Sequence, residues 1–283
     1  MDLNLLISSD ANYLPHAVVA LTSACENNRL HRLRIFYLHA GLGEEEMGRV
    51  HAHFSRYTAV VNFIHVDDGR LRQLYTQGHL TTPTYYRILC ADALPPSVNR
   101  VIYLDCDVIV RASLDEIYTA DLELCTIAAV RDAYLNDAPW PTWREQINAL
   151  ADAQVREYFN SGVMLIDVAR YRSTGVGSAV IELLDRFHRH FNYMDQDALN
   201  VVLAQRWKAL PSRWNVQSHW YTLDYCFESA GFSPEQRNRT IAAIRDPAII
   251  HYTATSKPWH FINAHPLKSE YWKYRQLTPY AAR

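Results

Sequence analysis

The chain has 283 residues, 49% hydrophobic and 20% charged, with a formal net charge of −2; this is ample material for a folded core and excludes intrinsic disorder. A charge so near zero, with arginines scattered rather than clustered, leaves no electrostatic case for nucleic acid. Cys25, Cys90, Cys106, Cys125 and Cys226 are odd in number and form no Cys-x-x-Cys pair, which excludes a thiolate zinc site or disulfide framework and fits a reducing compartment.

Met1-Asp2-Leu3-Asn4 lacks the basic region of a signal peptide, and no run approaches the ~18–20 apolar residues of a membrane span. A cytoplasmic location is expected. Leu3 to Ser9 predicts a buried strand, Asp10 to Tyr13 a loop, and Pro15 to Cys25 a helix opened by proline. Leu33 to Leu38 predicts a second strand, and Val60 to Val66 a third. Between them Glu44 to Tyr57 is amphipathic, with Met47, Val50, Phe54 and Tyr57 on one face. Such alternation predicts a parallel α/β sheet with ligands beyond the carboxyl ends of its strands. The Asp10–Tyr13 loop lies at such an end without a Gly-x-Gly-x-x-Gly turn, which argues against a dinucleotide. Tyr13 beside Asp10 and Asn12 offers a ring and polar groups to a nucleobase; a plain polar loop with a capping Asp or Asn reads the same residues equally well.

Thr81-Thr82-Pro83 predicts a turn, and Thr84 to Ala93 a helix stopped by Pro95-Pro96. Arg87 in it reads as a surface arginine or as the counter-charge of a phosphate or carboxylate. Arg100 to Val110 is the most telling stretch: an apolar run, Asp105-Cys106-Asp107, then a second apolar run. On a strand, Asp105 and Asp107 would point one way and Cys106 the other. Burying two like charges costs several kcal/mol or keeps one of them protonated, and Mg²⁺ or Mn²⁺ shared with a diphosphate resolves the conflict. A bare Asp-x-Asp also reads as a solvated turn, a reading weakened by the apolar runs on both sides.

Ile127 to Val130 predicts a strand ending at Arg131-Asp132, and residues 134–158 an excursion over the sheet. Phe159 to Asp167 resumes the sheet; its Ser161-Gly162 step permits a close approach, and Asn160 offers a donor and an acceptor. Val176 to Phe191 predicts an amphipathic helix. Asp195-Gln196-Asp197 opens the next, where capping explains one carboxylate better than two. Ala248 to Tyr252 predicts a strand carrying His251, and Lys257 beyond it suits a phosphate.

Asp-x-Asp after an apolar strand, Asn-Ser-Gly-Val, Asp-Gln-Asp-x-Leu-Asn on a helix, and His-Tyr-x₄-Lys-Pro-Trp-His near the end together resemble glycosyltransferase family 8, in the family's order and over most of the chain. The resemblance implies an α/β GT-A fold, with a mixed, mostly parallel sheet flanked by helices and a Rossmann-like nucleotide-binding half. It also implies retaining transfer of galactose or glucose from a UDP-sugar to a glycan or lipid-linked glycan acceptor, as in lipopolysaccharide or other surface polysaccharide synthesis. By position, Asp105, Asp107 and His251 would be ligands of Mn²⁺, with Mg²⁺ as the alternative. Ser8, Asp10, Asn12, Tyr13, Arg87, Cys106 and Lys257 would join Asp105 in holding the donor, and Asp132, Asn160, Asp195 and Gln196 would surround the reacting sugar. The family often has glycine where Ala254 stands and alanine where Ser161 stands. A nucleotidyltransferase acting on a sugar phosphate and a non-catalytic sugar-nucleotide binder are the rival readings.

Residues 1–260 are expected to form the catalytic domain. The tail, 261–283, mixes aromatic and basic residues, which suits a peripheral membrane contact or equally a packed terminal helix. Oligomeric state leaves no mark in the sequence.

Overall fold

The computed structural model describes residues 1–74, 82–132, 135–136, 142–225 and 234–281. Cys226, Tyr134 and Thr81, each part of an expectation above, lie outside them. The first half alternates as predicted: β1 (Asp2–Ser8), α1 (Leu14–Asn27), β2 (Arg32–His39), α2 (Glu44–Phe54) and β3 (Ala59–His65), with β1, β2 and β3 in parallel register. β4 (Arg100–Leu104) adds to β1 in parallel, and the chain then leaves this sheet for β5 (Val108–Val110). It returns through β6 (Ile127–Arg131), α3 (Thr142–Ala151) and β7 (Phe159–Asp167), the last antiparallel to both β4 and β6. After α4 (Val176–Phe187) and α5 (Asp195–Val202), β8 (Trp207–Ala209) closes the edge parallel to β6. The seven-stranded order is β3-β2-β1-β4-β7-β6-β8, a mixed, mostly parallel sheet flanked by helices.

A second sheet follows from β9 (Val216–Gln217), α6 (Pro234–Arg245) and β10 (Ile249–His251), in the order β5-β10-β9. The C-terminal helix, α7 (Lys268–Arg275), comes last.

Strand periodicity builds the core on both faces of the main sheet. Leu3, Leu5 and Ile7 of β1 and Ile102 and Leu104 of β4 meet α1 and α2, whereas Leu6, Val101 and Tyr103 face α4 and α5. α1 lies between the two sheets: Val18 and Leu21 join the main core, while Val19 packs with Ile109, Ile250, Tyr252, Tyr271 and Tyr274. That second cluster seats α7, where the Tyr271 hydroxyl pairs with His16 Nδ1 at 2.7 Å and Asn27 donates to the Tyr274 hydroxyl at 2.8 Å.

Several boundaries differ from expectation. α2 stops at Phe54 and α4 at Phe187. Thr82–Leu89 is a 3₁₀ helix and only Cys90–Ala93 is α-helical; the tighter winding sends Tyr85, Tyr86, Arg87 and Ile88 inward together. Asp105, Cys106 and Asp107 are not on a strand but in the turn between β4 and β5. Their side chains converge because the chain changes sheets there, not because of strand alternation, and Cys106 does not turn to an opposite face.

Candidate active site

Around the carboxyl ends of β1, β4 and β6 lies a cavity of about 840 Å³ lined by Ser8, Asp10, Tyr13, Arg87, Asp105, Cys106, Asp107, Asp132, Asn160, Asp195, Gln196, His251 and Lys257. These are the positions picked out above, with the exception of Asn12, which stands exposed at the loop's tip, off the cavity wall.

Asp105, Asp107 and His251 each offer a ligand atom, all within 4.8 Å of one another. His251 Nε2 lies 3.7 Å from Asp105 Oδ2 and 3.2 Å from Asp107 Oδ1. Its Nδ1 pairs with Asn215 Oδ1 at 2.9 Å, and since that oxygen only accepts, the ring donates from Nδ1 and presents Nε2 to the carboxylates. Asp107 Oδ1 is buried without a hydrogen-bond partner. A buried anionic oxygen without a donor, beside a second carboxylate and an imidazole nitrogen, fits a divalent cation. Asp107 Oδ2 is taken by Lys257 Nζ at 2.6 Å. Burial opposes ionisation of Asp107, but the Lys257 ammonium outweighs it and holds its carboxyl well below the usual range.

Gly162 forms the floor of this corner. A Cβ there would stand 2.2 Å from His251 Cε1 and 2.6 Å from Asp105 Oδ2. The glycine lies inside β7, and the close approach it permits is made by the His251 and Asp105 side chains.

Arg87 is buried, with NH2 3.1 Å from Asp105 Oδ1 and Nε 2.9 Å from Asp195 Oδ2, and it donates to the Ser161 carbonyl at 2.8 Å. Burial opposes its charge, yet Asp105 and Asp195 prevail and raise its pKa. The Nε hydrogen is directed at the Thr84 carbonyl, 3.0 Å away, so Asp195 Oδ2 receives no hydrogen bond. Desolvation therefore wins at Asp195, with Arg87 opposing, and its carboxyl rises to about 7.

Gln196 Oε1 accepts from the Ser161 N–H at 2.9 Å, and its Nε2 donates to Asp132 Oδ2 at 3.4 Å, so the amide's orientation is fixed by a backbone donor. Asp132 Oδ2 also accepts from Asn160 at 3.1 Å; burial raises its pKa against the help of Asn160, the Leu135 N–H and Gln196. Asn160 Oδ1 accepts in turn from Asn215 Nδ2 at 2.9 Å. An unbroken line of amides thus runs from the Asp132–Gln196 side to His251. Asn215 was not foreseen: a single amide within Ser-Arg-Trp-Asn has no spacing that marks it.

Asp195 and Asp197 do not cap α5, whose N-cap is Met194. Met194 has φ 49 and ψ −116, and the Gln196 N–H bonds to the Tyr193 carbonyl at 2.9 Å, the geometry of a type II′ turn in a position that favours glycine. Asp197 turns away from the cavity and accepts from the Tyr158 hydroxyl at 2.5 Å, Trp143 Nε1 at 3.1 Å and the Tyr193 N–H at 2.8 Å. Burial, opposed by Tyr158 first among these donors, raises its carboxyl to about 6.

On the loop after β1, Asp10 Oδ1 accepts from the Tyr13 N–H at 2.9 Å and its carbonyl accepts from the Leu14 N–H at 3.0 Å, a turn that leads into α1, whose N-cap residue is Tyr13. Ser8 donates to the Pro83 carbonyl at 3.2 Å and the Cys106 thiol to the Ser8 carbonyl at 3.0 Å. Half-buried Tyr13 meets Trp259 edge-on at 6.0 Å, and Trp259 stacks on His16 at 3.6 Å.

Comparison with known proteins finds relatives over nearly the whole chain. The family described as glycosyl transferase family 8 matches residues 4–263. General stress protein A of Bacillus subtilis is 28% identical over 281 residues, covering 98% of this chain and 94% of that protein. Lipopolysaccharide 1,3-galactosyltransferase of Salmonella typhimurium is 24% identical, over 98% of this chain and 79% of its own length. The galactosyltransferase LgtC, crystallised with donor and acceptor sugar analogues, superimposes with a TM-score of 0.86 at 24% identity, covering 98% of this chain and 96% of that one.

Proposed function

The chain belongs to glycosyl transferase family 8, and from that premise we propose that this glycosyltransferase moves galactose or glucose, with retention, from a UDP-sugar to a glycan acceptor in a Mn²⁺-dependent reaction. The observation that carries the reading is the orphaned Asp107 Oδ1 facing Asp105 and His251 at the rim of a cavity large enough for a nucleotide sugar. When bound, the metal would neutralise charge on the departing diphosphate. Tyr13 and Asp10 then hold the base, and Arg87 braces Asp105 and Asp195 from behind. Asp132, Asn160 and Gln196 line the sugar side. The lipopolysaccharide relative supports an acceptor in surface polysaccharide synthesis.

Retention needs either a nucleophile opposite the leaving group or substitution on one face. Asp197 is fully buried with both oxygens occupied, and it diverges from Gln196 by about 100° around the helix. This favours same-face substitution: the departing phosphate oxygen takes the proton of the acceptor hydroxyl while the Gln196 amide, its Oε1 held by the Ser161 N–H and hydroxyl, lines the sugar side. Detection of a covalent glycosyl-enzyme by intact mass spectrometry would overturn that step.

No helix among the described residues is long and apolar enough to cross a membrane. Phe261 and Ile262, 98% and 87% exposed beside Lys268, support a cytoplasmic enzyme touching the membrane surface where lipid-linked acceptors lie.

The decisive test is a thermal-shift screen of UDP-sugars with and without Mn²⁺. The cognate donor at 100 times its dissociation constant adds about 2.7 kcal/mol of stability, and only with metal present. Asp107→Asn is expected to abolish Mn²⁺-dependent transfer; an active, metal-responsive variant contradicts the assignment.

A further inference from the structure

We infer that Lys257 is a built-in counter-cation that keeps the Asp105–Asp107–His251 corner weak for a divalent ion until a diphosphate arrives with it. The inference rests on the donor-binding reading above and adds the order in which the parts come together.

Lys257 is 3% exposed, and its Nζ donates to Asp107 Oδ2 at 2.6 Å and to the Tyr252 carbonyl at 2.8 Å. The ammonium is thus fixed on the carboxylate whose other oxygen, Oδ1, faces His251 without a hydrogen bond. Asp107 is divided between two cations: one oxygen belongs to the lysine, and the other can serve a metal singly but not as a chelating pair.

Charge balance points the same way. At this end of the cavity the carboxylates of Asp105, Asp107 and Asp195 stand against Arg87 and Lys257, all on its wall. The formal excess is one negative charge, and protonation of Asp195 removes it. A bare divalent ion would therefore leave net positive charge in a desolvated corner, which is costly. A diphosphate entering with the ion cancels that excess, so each binds better in the other's presence, and the coupling is reciprocal. Without Lys257 the corner regains a full negative charge, so the ion alone leaves half the uncompensated charge and depends less on a diphosphate.

The test is Mn²⁺ binding to the full chain, read from the electron paramagnetic resonance signal of the free ion, with and without UDP. Without UDP, Lys257→Met is expected to bind Mn²⁺ at least about tenfold more tightly than wild type, whereas Lys257→Arg stays weak. UDP should tighten Mn²⁺ binding strongly in the wild type and much less in Lys257→Met. Lys257→Gln keeps a donor toward Asp107 and Tyr252; it is read in the same way if the methionine variant does not fold. A neutral variant that binds nucleotide-free Mn²⁺ no better than wild type, while the wild type binds Mn²⁺ with UDP, overturns the counter-cation and leaves the donor reading standing. A wild type that takes up no Mn²⁺ even with UDP overturns both.

Discussion

At the scale of single residues, the site depends on one missing side chain and one misplaced proton. Gly162 is the floor under two metal-ligand candidates, and a methyl group there would overlap the His251 ring. Because the obstruction comes from buried groups rather than a flexible tip, Gly162→Ala should displace His251 and Asp105, lowering Mn²⁺·UDP affinity by at least about tenfold, equivalent to about 1.4 kcal/mol. Calorimetric titration checks this, and unchanged affinity in a folded variant refutes it. The proton belongs to Asp195, whose carboxyl burial lifts to about 7 from an unfolded value of about 3.9. A raised carboxyl contributes stability that is complete below the unfolded pKa and is lost as pH rises through the folded one. Asp197, at about 6, acts in the same direction. Asp107 acts oppositely, losing its contribution as pH falls, but below this window. His16, His53 and His265, whose pKa values burial lowers to about 3, 4 and 4, pull the opposite way over the same range. The expected effect is therefore a difference from wild type: between about pH 4 and about pH 7 Asp195→Asn should lose the downward slope in melting midpoint that Asp195 contributes, and a variant profile parallel to wild type would contradict it.

Among the elements, what the sequence made legible was whatever repeats at a fixed spacing. The alternation of Leu3, Leu5 and Ile7 against Leu6 announces β1, and apolar spacing announces α1, α2 and α4. The acidic triplet was also legible, but not its geometry: a strand reading of Arg100 to Val110 misses the change of sheet, because both halves are equally apolar and only tertiary pairing separates β4 from β5. Asn215 was invisible because its role depends on β10 arriving beside it. Asp197 was ambiguous for a related reason: its partners Trp143 and Tyr158 come from the excursion before β7, a segment without regular periodicity. It joins that excursion to α5. Asp197→Ala would take the acceptor from the buried Tyr158 hydroxyl and from the half-buried Trp143 and Tyr193 N–H groups, and a loss of about 3 kcal/mol is expected by denaturant unfolding. A loss within about 0.5 kcal/mol, the range of an ordinary surface substitution, would show that the excursion is held by other contacts.

Across the whole molecule, the boundary expected at residue 260 has consequences for packing. Tyr271 and Tyr274 are buried against Val19, Ile109, Ile250 and Tyr252, and Tyr271 holds His16, which stacks on Trp259 beside Tyr13. Removing residues 266–283 should lower the melting temperature and weaken UDP binding together. Liposome flotation separates this from the membrane role: Phe261→Ser with Ile262→Ser should reduce flotation while the melting temperature holds. A truncated chain as stable as the full one would make the tail an independent appendage. The turn at Asp105–Asp107, where the chain passes from one sheet to the other, carries one more implication. Its imidazole partner sits on β10, which pairs with β5 from far along the sequence. A chain that has not yet paired β10 with β5 holds acidic groups but no complete ion-binding corner, so uptake of a divalent ion would follow the closing of the second sheet rather than guide it.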